Sequence, residues 1–434
     1  MTKPKKWQQL WRSLVVLAHL AALVASCAVP SPGGPAVKAQ PLQSEKPRLD
    51  ALPAEEARVP ELVRGNTAFA LELYQALFNG GENLFFSPYS ISAALAMTYA
   101  GARGETEGQM AEALRWTLPQ AELHAAFNAL DGALLESGAP EVEGALQLHI
   151  VNALWGQQDY AFLASFLDTL AQNYGAGMRL VDFAQSEAAR RLINGWVEEQ
   201  TEDRIQKLLP PQSVDAATAL VLTNAVYFKA AWMYAFAEAQ THQAPFTNMD
   251  GRQVQVPMMS RVADLGYAES ARWQAVELPY ADGRWSMVAL LPTLAGFDDA
   301  SRALSAEELA TLLQGLQTES VKLSMPRFTM ESSVKLQDAL MALGMVDAFG
   351  PAADLSGMDG TTELFIDQVY HKAFVAVDEV GTEAAAATAV VVARGGVAEA
   401  EKEVTLNRPF LFLIRDTQTG TVLFFGHVVD PLAE

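Results

Sequence analysis

DEVGTEAAAATAVVV, residues 378–392, is a run of small, nearly uncharged side chains that becomes β-branched at its far end. The chain leaves it through Ala393-Arg394-Gly395-Gly396, which offers a protease an easy bond. Apolar, strand-like runs flank it, AFVAV at 373–377 and RPFLFLI at 408–414. Alanine and threonine without a bulky anchor build no core of their own, yet they meet little steric resistance on entering a sheet that parts to admit them. A cleavable bond carried on an insertable strand points to a trap rather than an enzyme.

Composition sets the bounds. With 434 residues, half of them apolar, the chain has material for a substantial core, in one large domain or two to three average ones. The formal net charge of −21 argues against nucleic acid and other polyanions as partners and favours solubility and basic partners. The acidic residues are spread along the chain, as on a solvated surface.

The single cysteine, Cys27, excludes an internal disulfide, and its position is informative. Residues 1–12 are basic, Leu14 to Ala25 (LVVLAHLAALVA) is apolar apart from His19, and Val24-Ala25-Ser26-Cys27 follows. A charged start, an apolar run of about a dozen residues and small residues at its end describe an export signal, too short for a comfortable membrane-spanning helix. VASC also resembles the bacterial lipobox, in which the cysteine becomes a lipid-bearing N-terminus. Residues 1–26 are therefore expected to be a lipoprotein-type signal and Cys27 a lipid anchor that holds the protein at the cell envelope or surface. Residues 27–61, rich in Pro and Ala and without sustained periodicity, read as a flexible tether.

Order is expected from Leu62 to Glu434. Asn66 reads as the cap of a helix that carries Phe69, Leu73 and Leu77 on one face. Further helical patterns occupy 91–100, 106–114, 121–135, 160–174 and 186–201. Strand-like runs occupy 146–157, 219–227, 274–278, 285–291, 321–328, 408–414 and 421–428. Asp416-Thr417-Gln418-Thr419-Gly420 reads as the hairpin turn between the last two. Helices early, strands late and no regular βαβ alternation indicate one α+β domain.

Enzyme constellations are missing from the sequence. The six histidines form no HExxH and no zinc-spaced pair, and there is no G-x-S-x-G elbow, Walker loop or G-x-G-x-x-G after a strand. No catalytic residue, metal or cofactor is expected.

The ordered segments resemble the serpins over 62–434. Asn83 to Ile91 (NLFFSPYSI) is similar to the family's early block, and GARGET at 101–106 follows. INGWVEEQT at 193–201, LTNAVYFKAAW at 222–232, VPMM at 256–259, ELPY at 277–280 and SMVALLP at 286–292 come in family order. So do HKAFVAVDEVGTEAAAAT at 371–388 and LNRPFLFLI at 406–414. The resemblance implies a monomeric α+β fold of three β-sheets and about eight to nine helices, with an exposed reactive loop at about 379–403. It also implies inhibition of serine proteases, which cut the loop and stay bound as acyl-enzymes while the loop inserts into the main sheet. Ser87, Ser90, Asn224 and His371 match the polar cluster where that sheet parts, Trp232 the loop-entry position, and Arg327 with Glu379 an ion pair at the loop's base.

In an inserted strand the hinge, Gly381-Thr382-Glu383-Ala384-Ala385-Ala386-Ala387-Thr388, would bury Thr382, Ala384, Ala386 and Thr388, and after them Val390 and Val392, while Glu383 points outward. None of the buried positions is charged or proline, either of which would oppose insertion. This argues against a serpin-fold protein that only binds a ligand. Gly381 is expected to supply backbone freedom. The scissile bond is read as Arg394–Gly395, for a trypsin-like protease. Gly395–Gly396, or cleavage after Val392 or Ala393 by an elastase- or subtilisin-like enzyme, is the alternative.

Overall fold

A computed structural model describes residues 38–135, 147–293, 296–382 and 400–433. The signal, Cys27, hinge residues from Glu383 onward and the candidate bonds at 392–396 lie outside the described residues.

In chain order the first elements are β1 (Gln40–Leu42), α1 (Val59–Leu77), β2 (Leu84–Phe86), α2 (Pro88–Tyr99), α3 (Gly104–Ala113) and α4 (Gln120–Leu135). Next come β3 (Gln147–Gln157), α5 (Ala164–Tyr174), β4 (Met178–Val181), α6 (Ser186–Gln200), β5 (Leu220–Ala231), β6 (His242–Thr247), β7 (Gln253–Glu269), β8 (Trp273–Pro279) and β9 (Trp285–Pro292). They are followed by α7 (Phe297–Ala303), α8 (Ala306–Gln314), β10 (Gln317–Pro326), β11 (Phe328–Lys335), α9 (Gln337–Ala342) and α10 (Ser356–Asp359). The last strands are β12 (Gln368–Val377), β13 (Gly381–Thr382), β14 (Lys402–Thr405), β15 (Phe410–Asp416) and β16 (Val422–Val428). Ten α-helices thus occur among the described residues, slightly more than expected, because short pieces such as α10 have no amphipathic signal of their own.

Seven strands form one sheet, in the order β1-β4-β3-β5-β13-β12-β11. The remaining nine form the other, with β6 attached to β7 and the rest in the order β14-β10-β7-β8-β9-β15-β16-β2. The third expected sheet is continuous with the second because β7 is 17 residues long. Its first part pairs with β6, its middle with β10 and its end with β8. β9 is buried at every position and β5 at all but Lys229, so both read as unbroken apolar runs rather than alternating ones.

Two expectations fail near the N-terminus. The described part of residues 27–61 is docked rather than free. β1 pairs antiparallel with β4, Ser44 donates to Asp168 at 2.5 Å, and Lys46 and Arg48 pair with Asp168 and Asp131, each at 2.7 Å. Asn66 caps nothing. The helix already begins at Val59–Pro60, where a proline loses no helical hydrogen bond, and buried Asn66 accepts from Ser92 Oγ at 2.8 Å.

Candidate functional site

The flanks of the cleavable segment meet at the centre of the seven-stranded sheet. β5 and β12 run parallel and pair directly from Val221↔Gln368 to Tyr227↔Phe374. Further along, β13 stands between them. Gly381 and Thr382 pair antiparallel with Ala231 and Ala230, and Thr382 also with Val377. The first two hinge residues therefore already occupy the position of a new central strand. Any continuation must part the seam between β5 and β12.

Each group at the hinge has an assignable role. Asp378 Oδ1 accepts from the backbone N–H of Val380 at 2.8 Å and of Gly381 at 3.1 Å, which turns the chain back into the sheet. Gly381 is required for a reason other than backbone freedom, since a Cβ there would lie 2.2 Å from the carbonyl oxygen of Ala230. Thr382 is fully buried and shares a 2.7 Å hydrogen bond with the Tyr280 hydroxyl. Trp232 stacks on Tyr280 with ring centroids 4.6 Å apart and donates its indole N–H to the carbonyl of Asp378 at 3.0 Å.

Arg327 donates to Glu379 Oε1 through Nε at 2.8 Å and Nη2 at 2.5 Å, and the Thr241 hydroxyl donates to the same oxygen. The Glu379 side chain is only 4% exposed while that of Arg327 is 43% exposed, so the pair is buried at its acidic end. Burial alone would raise the Glu379 pKa, but the hydrogen bonds from Arg327 and Thr241 outweigh it and hold the group below the usual carboxylate range.

Ser87, Ser90, Asn224 and His371 come together beneath the seam, all fully buried. The backbone N–H of Ser87 donates to His371 Nε2 at 3.1 Å, so the opposite ring nitrogen carries the proton and donates to Asn224 Oδ1. Asn224 Nδ2 faces Ser90 Oγ, and Ser87 Oγ caps α2 by accepting from the N–H of Ser90 at 3.2 Å. Three contributors were not foreseen. Asn152 on β3 joins the cluster through Ser90 and Asn224, and Tyr280 anchors Thr382. Lys372, on the opposite side of β12 from His371, reaches the Gln206 carbonyl and Glu331, each at 2.7 Å. The only trace of Asn152 in the sequence is a lone amide in the apolar run HIVNALW.

A model of the family Serpin (serine protease inhibitor) matches residues 64–431. The chain belongs to the serpin family. A leukocyte elastase inhibitor of Sus scrofa is 40% identical over 385 residues, spanning 86% of this serpin and 100% of the relative. An uncharacterised serpin-like protein of Thermococcus kodakarensis is 39% identical over 381 residues, 87% of each chain. The native crystal structure of tengpin, a thermophilic serpin, superposes with a TM-score of 0.80 at 30% identity, covering 91% of this chain and 100% of tengpin.

The buried imidazoles make this serpin sensitive to acid. Burial pushes His371 down to about 3 and His124 and His427 down to about 4. All three stay neutral in the folded chain at pH 5, whereas an exposed histidine with a pKa near 6.5 binds a proton there. Their contribution to stability is present above about pH 6.5 and is lost as the pH falls toward 4 for His124 and His427 and toward 3 for His371. The loss at pH 5 is about 2 kcal/mol per histidine. The urea midpoint is expected to drop clearly between pH 7 and pH 5; an unchanged midpoint would show that these histidines titrate normally.

Proposed function

We propose that this serpin is a suicide-substrate inhibitor of serine proteases. The protease serine attacks the carbonyl of Arg394, the Arg394–Gly395 bond breaks with release of the Gly395 amine, and the resulting ester is trapped as the hinge inserts between β5 and β12. The observation that carries this reading is β13, whose register can be extended. Residue numbers paired between β13 and β5 sum to 612, and the β13–β12 pair sums to 759. Continued on the same sums, residues 385–391 would lie opposite 227–221 on β5 and 374–368 on β12, which is the whole seam. That strand ends at Val391, so a cut anywhere beyond it leaves the strand whole, and the length of the seam admits every candidate bond among residues 392–396.

Arginine fits an acidic specificity pocket, and glycine fills none, which favours a trypsin-like target over cleavage at Gly395–Gly396. The pig relative's name gives the alternative, an elastase-like enzyme cutting after Val392 or Ala393, a natural comparison. Incubation with trypsin is expected to give a complex that survives denaturing electrophoresis, and a released C-terminal fragment whose mass starts at Gly395. Cleavage with no complex at any ratio of inhibitor to protease refutes the trapping mechanism; a fragment starting elsewhere reassigns the bond.

We also propose that the protein is exported and held at the cell envelope by lipid on Cys27. The sequence around that cysteine supports this. Cys27→Ser should move the protein from the membrane pellet to the soluble fraction, and an unchanged distribution excludes the anchor.

A further inference from the structure

The segment from Trp232 to Gln240, between β5 and β6, is held from below by the first foot of the reactive loop. The N–H of Trp232 donates to the carbonyl of Val380 at 2.9 Å, and that of Phe236 to the carbonyl of Glu379 at 2.8 Å. The loop's second foot is β14, which pairs parallel with β10 at Lys322↔Glu403, where the two side chains form an ion pair at 2.9 Å. Between the feet is an open cavity of about 330 Å³, lined by Ala235, Ala237, Gln240, Arg261, Val262 and Lys322. The large apolar side chain of Val262, in its lining, is exposed, as is that of Tyr234 beside Arg261.

Arg261 is the unusual member. Its guanidinium is largely withdrawn from water, which lowers its pKa. One Nη donates to the carbonyl of Ala235, and the rings of Tyr234 and Phe236 lie 5.5 and 6.0 Å away. Nε is buried with no hydrogen-bond partner. No carboxylate among the described residues forms an ion pair with Arg261, whereas neighbouring Lys322 is neutralised by Glu403. A half-buried cation without a counter-charge is unfavourable until an anion arrives.

We propose that this cavity is an auxiliary docking site for the body of the protease held on the loop, which seats an acidic surface side chain on Arg261 and lays apolar surface over Tyr234 and Val262. The proposal rests on the inhibitor reading for its occupant. The position between both feet of the loop supports that occupant, because a protein bound to the loop faces this surface. The unpaired guanidinium specifies the charge of the contact.

The test uses the full-length protein and trypsin whose nucleophilic serine is replaced by alanine, in its anionic and cationic isoforms, with the dissociation constant as readout. Val262→Asp replaces exposed apolar surface at the mouth with a carboxylate opposite Lys322, which an acidic partner must meet, and Arg261→Leu removes the cation. Each is expected to weaken binding of the anionic isoform about tenfold or more. Both variants remaining within twofold of the parent, or no binding of either isoform, overturns the site. An effect of Val262→Asp alone overturns the carboxylate seat. Self-association that Val262→Asp abolishes assigns the surface to a second copy and also overturns the proposal. Trapping is read separately with active trypsin, so its failure would remove the inhibitor reading while these constants still report on the surface.

Discussion

Ala384→Arg is expected to abolish trapping while leaving loop cleavage intact, so that the stoichiometry of inhibition rises from near one to above about ten and the denaturation-stable complex disappears. Extending the β13–β5 register sets residue 384 opposite Phe228, on the face that Thr382 already presents to the core. Phe228 packs edge-on against Tyr280, Trp285 and Phe424. An arginine inserted there meets aromatic surface with no described anion to receive it. Burying an unpaired charge costs several kcal/mol. That opposes an insertion whose total gain, a dozen ladder hydrogen bonds at about 1 kcal/mol net each, is on the order of 10 kcal/mol. The penalty also falls at an early step, when few new bonds have formed and hydrolysis of the ester competes. Thr382→Arg is a poorer test, because position 382 is buried before cleavage and the substitution damages the starting fold. Glu383→Arg is the control. By alternation its side chain leaves the sheet on the other face, and it should trap like the parent. Titration against active-site-counted trypsin separates the three, and parental stoichiometry for Ala384→Arg would falsify the register.

The parts of this fold legible in the sequence are those whose burial is continuous or regularly periodic. β5 and β9 are apolar on both faces, and α6 carries a clean amphipathic stripe, so their limits fall within a few residues of the expected ones. β7 was missed as a unit. Its buried side changes along its length, from Val256 and Met258 to Leu265 and Tyr267, and Arg261, Asp264 and Glu269 interrupt the apolar pattern while its hydrogen bonds come from three different partner strands. The run at 321–328 is two strands because Pro326 lacks a ladder donor and the chain breaks at Arg327. Residues 38–58 gave no local signal because they are fixed by pairwise contacts with Asn128, Asp131 and Asp168, distant in sequence. At the site, family resemblance located Ser87, Ser90, Asn224, His371, Trp232, Arg327 and Glu379. The reason expected for Gly381 was backbone freedom, whereas its need is set by the approach of Ala230 from another strand, and Asn152 shows its role only when β3 lies beside β5.

Cleavage within residues 392–396 should raise the melting temperature by on the order of 10–20 °C, because a central strand is added to a sheet that otherwise closes only through the β5–β12 seam. Thr388→Val should remove several degrees of that increase while leaving the uncleaved protein unchanged. In the extended register, residue 388 lies opposite both Asn224 on β5 and His371 on β12. At present His371 donates directly to Asn224 Oδ1 across that seam. A strand entering between them separates the pair and leaves a buried imidazole N–H and a buried amide oxygen without each other. Each unmet buried group costs about 1–3 kcal/mol. The hydroxyl of Thr388 would arrive at that level on the core-facing side, able to accept from one and donate to the other. Valine has the same shape and neither capacity. The polar cluster can thus be satisfied twice, once with the seam closed and once with Thr388 between its halves, and the sheet opens without a lasting penalty at its centre. Calorimetry of the intact and cleaved forms of parent and variant reads this directly. An equal increase in both would show that the cluster is satisfied by other groups after insertion, and no increase in either would show that the cut loop does not insert.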